Sequence, residues 1–170
     1  MNFAVFVSGN GSNLQAIINA VQSKKIKANL SLVVSDNKKA YALKRAQKAK
    51  IKSVIIDPRK HPNRKSFDRE VLKNLKKENI HFLVLAGFMR ILSPVLTSAY
   101  RNKILNIHPA LLPAFKGAHA IKDAFDYGVK VTGVTVHFVD AKVDHGPIIL
   151  QKAAAVYPKD SAASLEKKNP

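Results

Sequence analysis

Asn2-Phe3-Ala4-Val5-Phe6-Val7-Ser8-Gly9-Asn10-Gly11-Ser12-Asn13-Leu14 opens the chain, and its reading decides the fold. Phe3 to Val7 is apolar without alternation, the habit of a strand covered on both faces in a parallel sheet. A Gly-x-Gly turn follows. Then Leu14, Ile17, Ile18 and Val21 recur at helical spacing, with Ser12 or Asn13 placed to cap the helix start. Working outward, the same unit repeats. Leu30 to Ser35 reads as a strand, and Ala40 to Lys50 as a helix with Ala42, Leu43, Ala46 and Ala49 inward. Ser53 to Ile56 is a third strand. Asp57-Pro58 and His61-Pro62 break the chain before a helix from Ser66 to Asn79, with Phe67, Val71, Leu72 and Leu75 inward. His81 to Ala86 is a fourth strand. Successive strand–helix units imply right-handed crossovers.

After Gly87 the pattern loosens. Pro94 opens a short helix to Tyr100, Lys103 to Ile107 is a fifth strand, and Ala120 to Tyr127 is a helix. Val131 to Val139 and Pro147 to Val156 are the last strands. The expected fold class is α/β: an open, mostly parallel twisted sheet of about seven strands with helices on both faces. It forms one domain over residues 1–170, divided into a Rossmann-like half, 1–100, and a second half, 101–170.

Composition narrows the chemistry. A chain of 170 residues with 46% hydrophobic content builds its own core. Cysteine is absent, which excludes disulfide frameworks, thiolate zinc sites and cysteine nucleophiles. His61, His81, His119, His137 and His145 show no metal-ligand spacing, so no metal is expected. The opening apolar run is too short for a signal peptide or a membrane span, so the expectation is a soluble, cytoplasmic protein without a membrane partner.

The net charge is +18, and residues 22–80 carry 18 basic against 5 acidic side chains. These lysines sit at helix-surface spacings, as in Lys73-x-x-Lys76-Lys77. No aromatic residues are interleaved for base stacking, and no zinc-finger or basic-zipper spacing occurs. Solvated helix faces explain the charge better than a nucleic-acid surface does.

In open parallel sheets, ligands bind beyond the carboxyl ends of the strands. The Ser8–Asn13 turn there is a candidate phosphate cradle, because glycines let backbone approach an anion and a helix N-terminus supplies N–H groups. A dinucleotide site is disfavoured, since its third glycine is replaced by Leu14. After the fourth strand, Gly87-Phe88-Met89-Arg90-Ile91-Leu92 sets an arginine among apolar residues, suited to an apolar ligand with polar edges. After the fifth strand, Asn106 and His108 are two apart and so face one side. An imidazole there can transfer protons, and an amide can bind an oxyanion. The acid to hold His108 is Asp144, with Asp140 as competitor. His119 and His145 are candidates for the walls, and His137 for a core or supporting role. A serine-hydrolase reading fails for want of a Gly-x-Ser-x-Gly elbow.

Four stretches carry a resemblance: Ser8-Gly-Asn-Gly-Ser-Asn-Leu-Gln15, Leu85-Ala-Gly-Phe-Met-Arg-Ile-Leu92, Asn106-Ile-His-Pro-x-Leu-Leu-Pro113, and Thr135-Val-His-Phe-Val139 with Asp144-x-Gly-Pro-Ile148. In this order they resemble the phosphoribosylglycinamide formyltransferases, the folate-dependent transformylases of purine synthesis, over residues 1 to about 160. The resemblance implies a one-carbon transferase using 10-formyltetrahydrofolate as co-substrate and 5-phosphoribosylglycinamide as acceptor. It implies that Gly11, Ser12 and Asn13 hold the ribose-phosphate, and that Met89, Arg90, Ile91 and Leu92 line the folate pocket. Arg64 would stand near the glutamate tail, Val139, Asp140 and Asp144 would belong to a folate loop, and Asn106, which also borders the folate, His108 and Asp144 would form the catalytic trio. It also implies a cis Leu112–Pro113 bond. The rival reading is a weakly active or non-enzymatic relative that binds polyanions.

The resemblance further implies a long helix starting near Ser161, for which the chain leaves little room. An exposed apolar patch near Ile148, Leu150 and Val156 is therefore expected, in a marginally stable monomer or a homodimer.

Overall fold

The computed structural model describes residues 1–168. Its elements are β1 (Asn2–Val7), α1 (Ser12–Gln22), β2 (Asn29–Ser35), α2 (Tyr41–Lys48), β3 (Ser53–Ile55), a 3-10 turn (Pro58–Lys60), α3 (Arg64–Lys77), β4 (Phe82–Leu85), α4 (Pro94–Ala99), β5 (Ile104–His108), α5 (Ala120–Tyr127), β6 (Val131–Phe138), β7 (Ile148–Ala155) and α6 (Ala162–Lys168). The strands form an open seven-stranded sheet in the order β3-β2-β1-β4-β5-β6-β7, and the fold is the α/β class expected. The described residues fold as two compact units, residues 1–104 and the residues from 105 on.

In the first unit, β1 pairs in parallel with β2 and β4, and β2 in parallel with β3. Phe3 is 5% exposed and Ala4 to Val7 are fully buried, so β1 is covered on both faces as its sequence requires. Phe3, Val5 and Val7 pack with Leu14 and Ile18 of α1 and with Ala42 and Ala46 of α2. The alternate residue Phe6 meets the Phe88 ring edge-on. The small Ala42 and Ala46 let α2 lie close, and Leu43 and Ala49, also expected inward, are only partly buried against this cluster. In α3, Leu72 is likewise half-buried, while Asp68, not among the residues expected inward, is 2% exposed.

In the second unit, β6 pairs antiparallel with β5 and with β7. Thr135 on β6 ties down the segment that follows β5. Its buried hydroxyl donates to the Ala110 carbonyl at 2.7 Å and accepts from the Leu112 N–H at 3.0 Å and from Gln151 Nε2 at 3.0 Å. Gln151 also donates to the Leu112 carbonyl at 2.9 Å. The Leu112–Pro113 bond is cis, as the resemblance implied.

Two expectations change. His108 belongs to β5 itself and is 3% exposed, where it was read as lying beyond the strand. Ile148, Ile149 and Leu150 on β7 are 48%, 49% and 62% exposed, but Val156 is half-buried. The patch is therefore confined to the start of β7. A helix does form near Ser161, and its Leu165 is fully buried. Among the described residues no helix is long and apolar enough to cross a membrane. Residues 169 and 170 of the expected domain lie outside the described residues.

Candidate active site

The Ser8–Asn13 turn is built by its neighbours in the first unit. The Ser8 N–H donates to the Gly87 carbonyl, the Ala42 N–H to the Gly9 carbonyl and Asn37 Nδ2 to the Ser8 carbonyl, at 3.1 to 3.2 Å. Gly11 is the N-cap of α1, with φ 76°, and no side chain caps this helix. The expected cap at Ser12 or Asn13 is thus corrected: both lie inside the first turn. An uncapped helix start leaves its N–H groups to find another acceptor, and an anion supplies one.

Gly11 is required for two reasons that the sequence did not give. Its backbone is left-handed, and a Cβ there would stand 2.6 Å from the Ala42 Cβ. Gly11→Val is therefore expected to destabilise the fold by more than about 2 kcal/mol, seen as a lowered Tm. Weaker acceptor binding by this variant would therefore not by itself report a contact of Gly11 with the acceptor.

Beyond β4, Met89 and Ile91 expose 68% and 53% of their surface, Leu92 is buried, and the Arg90 guanidinium lies 5.3 Å from the Phe67 ring centroid. The Met89 N–H donates to Ser8 Oγ at 2.9 Å, which joins this loop to the glycine turn. Arg64 opens α3, where Asn63 accepts the Ser66 N–H as cap. Asp68 is the residue that sequence reasoning missed. Its carboxylate accepts the N–H of Ser93, the residue that caps α4 and ends the Met89–Leu92 loop. Burial pushes the Asp68 carboxyl up, against the pull of Ser93 and of the Arg64 and Arg90 charges. In sequence it is one acid in a charged helix. Only its phase with Val71 and Leu75 marks it as inward.

In the second unit, Asn106, His108 and Asp144 come together. Asn106 and His108 share one face of β5, and Asp144 sits in the β6–β7 loop with φ 45°, a left-handed backbone that aspartate adopts more readily than most side-chain-bearing residues. Gly146 holds that loop against β6: a Cβ on it would lie 2.0 Å from the Phe138 carbonyl oxygen. Asp144 Oδ1 accepts from Asn106 Nδ2 at 3.2 Å, and Oδ2 accepts from the Gly117 N–H at 2.8 Å. His108 Nδ1 faces Oδ2 at 3.4 Å. His108 Nε2 lies 2.8 Å from the Phe115 carbonyl oxygen, which can only accept, so Nε2 carries a proton. The other nitrogen, Nδ1, is the one turned toward the Asp144 carboxylate.

His137 is buried beside the trio. Its Nδ1 faces the Phe138 carbonyl at 2.9 Å, and its Nε2 lies 3.2 Å from Asn106 Nδ2 and 3.6 Å from Asp144 Oδ1. Asp140, the rival acid, accepts instead from His145 Nδ1 and the Lys142 N–H, both at 2.8 Å. Val139 follows β6 and is half-buried, and His119 is the exposed N-cap of α5. No group of three His, Asp or Glu side chains among the described residues is placed to hold a metal ion.

The His137 ring, the Gly117 N–H and the charge of His108 outweigh burial and hold the Asp144 carboxyl down at about 2, from an ordinary 3.8. A carboxyl lowered by folding stabilises the native state above its unfolded pKa, and that stability is lost as pH falls from about 4 to about 2. The difference amounts to about 2 kcal/mol. Asp144→Asn should remove this part of the acid dependence, and urea unfolding at a series of pH values between 2 and 5 would show it.

The fold and the buried Asn106–His108–Asp144 trio are those of a group-transfer enzyme. The Formyl transferase family matches residues 1–169, and the chain belongs to that family. It is 41% identical over 166 residues to the phosphoribosylglycinamide formyltransferase of Bacillus subtilis (strain 168), covering 98% of this chain and 85% of that protein. The Escherichia coli (strain K12) protein of the same name is 43% identical over 161 residues, covering 95% of this chain and 76% of that one. The crystal structure of phosphoribosylglycinamide formyltransferase from Bacillus halodurans superposes with a TM-score of 0.97 at 40% identity, covering 99% of this chain and 87% of that one.

Proposed function

We propose that this chain transfers the formyl group of 10-formyltetrahydrofolate to the amine of 5-phosphoribosylglycinamide, in the cytoplasm, as a step of purine synthesis. The family and its named relatives support the reaction. The observation that carries it is the buried trio, in which a carboxylate held at about 2 faces an imidazole and an amide on one strand. The exposed Met89 and Ile91 beside Arg90 suit a flat heterocycle with polar edges, and Arg64 suits a carboxylate tail. Gly11, Ser12 and Asn13 at the uncapped start of α1 suit the acceptor's phosphate.

The formyl donor supplies an activated one-carbon unit and a nitrogen leaving group. His108 Nε2–H is now spent on the Phe115 carbonyl, and Asn106 Nδ2 donates to Asp144. A reacting carbonyl oxygen must therefore replace Phe115 as the acceptor from His108 and take an Nδ2–H of Asn106. As the acceptor's amine adds to the formyl carbon, these two donors stabilise the oxyanion. The carbon–nitrogen bond to folate then breaks, His108 delivers a proton to the departing nitrogen, and the proton lost by the amine restores the imidazolium, with Asp144 holding the ring throughout. The basic face is not the working surface on this reading, and a polyanion-binding protein is not favoured. The test is steady-state turnover with both substrates. Transfer is expected in the family range, and no transfer by folded protein would reject the reading.

A further inference from the structure

We propose that Arg45 is a positioning residue that holds the glycine turn in its anion-binding shape. The proposal rests on the reading that this turn takes the acceptor's phosphate. Arg45 lies on α2, yet all three of its side-chain hydrogen bonds go to the turn and to the first turn of α1. Its Nε donates to the Asn10 carbonyl at 3.0 Å, one terminal nitrogen to Asn10 Oδ1 at 3.2 Å and the other to Gln15 Oε1 at 3.3 Å. Gln15 is itself oriented by donating from Nε2 to Asn19 Oδ1 at 2.9 Å. The guanidinium is braced over the Tyr41 ring, 4.9 Å from its centroid.

Asn10 stands between two glycines, and no other hydrogen bond holds it among the described residues. Gly9 is held through its carbonyl, which accepts the Ala42 N–H at 3.1 Å, but no side chain packs on it: a Cβ there would have no neighbour within 4 Å. Such a segment loses much conformational freedom when it closes on a ligand. The planar fork of an arginine removes that freedom beforehand, which a lysine's single ammonium cannot do. No carboxylate pairs with Arg45 among the described residues. Its side-chain donors are spent instead on Asn10 and Gln15.

The test is a split between kinetic constants in the full chain. Arg45→Met should raise KM for the acceptor about 10-fold, with kcat and KM for formyl-folate unchanged. Arg45→Lys should raise it as much, because charge is kept but the fork is lost. Restoration of the acceptor KM by lysine, or an unchanged KM in Arg45→Met, would overturn the positioning role. Inorganic phosphate is the probe of the underlying reading: it should compete with acceptor in the wild type, and about 10-fold less well in both variants. Failure to compete in the wild type would reject the turn as a phosphate site. Equal competition in wild type and Arg45→Met would instead reject the role of Arg45. Should Arg45→Met fail to fold, Arg45→Lys with the phosphate titration decides the matter alone.

Discussion

Replacing His108 with alanine is expected to lower the formyl-transfer rate by about 10²–10⁴-fold, the usual contribution of a positioned acid–base group. KM for both substrates should move little, because the ring donates to an oxyanion that exists only after the amine has added. The fold should survive. The β5–β6 register pairs His108 with Thr135 through backbone and does not use the ring. Since the ring is 3% exposed, its loss should also lower stability, by about 1–3 kcal/mol. His108→Gln, which keeps a donor and fills the space, should recover most of the stability and little of the rate. Rates normalised to folded protein by a melting curve check this. A variant within a few fold of wild type would remove His108 from the chemistry.

Asp144→Asn is expected to cost about 10²-fold in rate, with KM for both substrates little changed. The carboxylate is the only negative charge facing His108 Nδ1 among the described residues, at 3.4 Å, and its removal takes away the group that orients the ring. The amide retains an oxygen that can accept the Gly117 N–H, and the loop should keep its course. A rate within a few fold of wild type would mean that Asp144 does not orient His108 for the reaction.

The sheet was legible because its strands are apolar without interruption and its helices carry few, well-spaced inward residues. Phe3–Val7 and Val71–Leu75 needed no tertiary information. Element ends were less legible: β5 extends one residue past its apolar run, because His108 continues the ladder to Thr135 while its side chain serves the site. The pairing of Asn106 with His108 followed from strand periodicity. Asp144 was a choice between two acids, and the structure distinguishes them by a loop held at Gly146 and by the His145 partner of Asp140.

What the sequence did not disclose are contacts made to backbone or across long separations. The Phe115 carbonyl that accepts from His108 belongs to no side-chain pattern, since any residue offers a carbonyl. His137 reaches Asn106 only because β5 and β6 pair antiparallel and set the two opposite each other. Asp68 and Arg45 read as ordinary helix charges until the loops they hold are in view. Gly11 was legible as a turn glycine, but not as the residue that lets Ala42 approach.

The most direct test of the central claim is the mass spectrum of 5-phosphoribosylglycinamide after incubation with 10-formyltetrahydrofolate and this protein. The account predicts that the wild-type chain converts the acceptor to its N-formyl product and releases deformylated folate in equal amount, and that His108→Ala leaves both substrates nearly unchanged over the same time. Equal conversion by the two proteins, or loss of the formyl group to water without formylated acceptor, would contradict it.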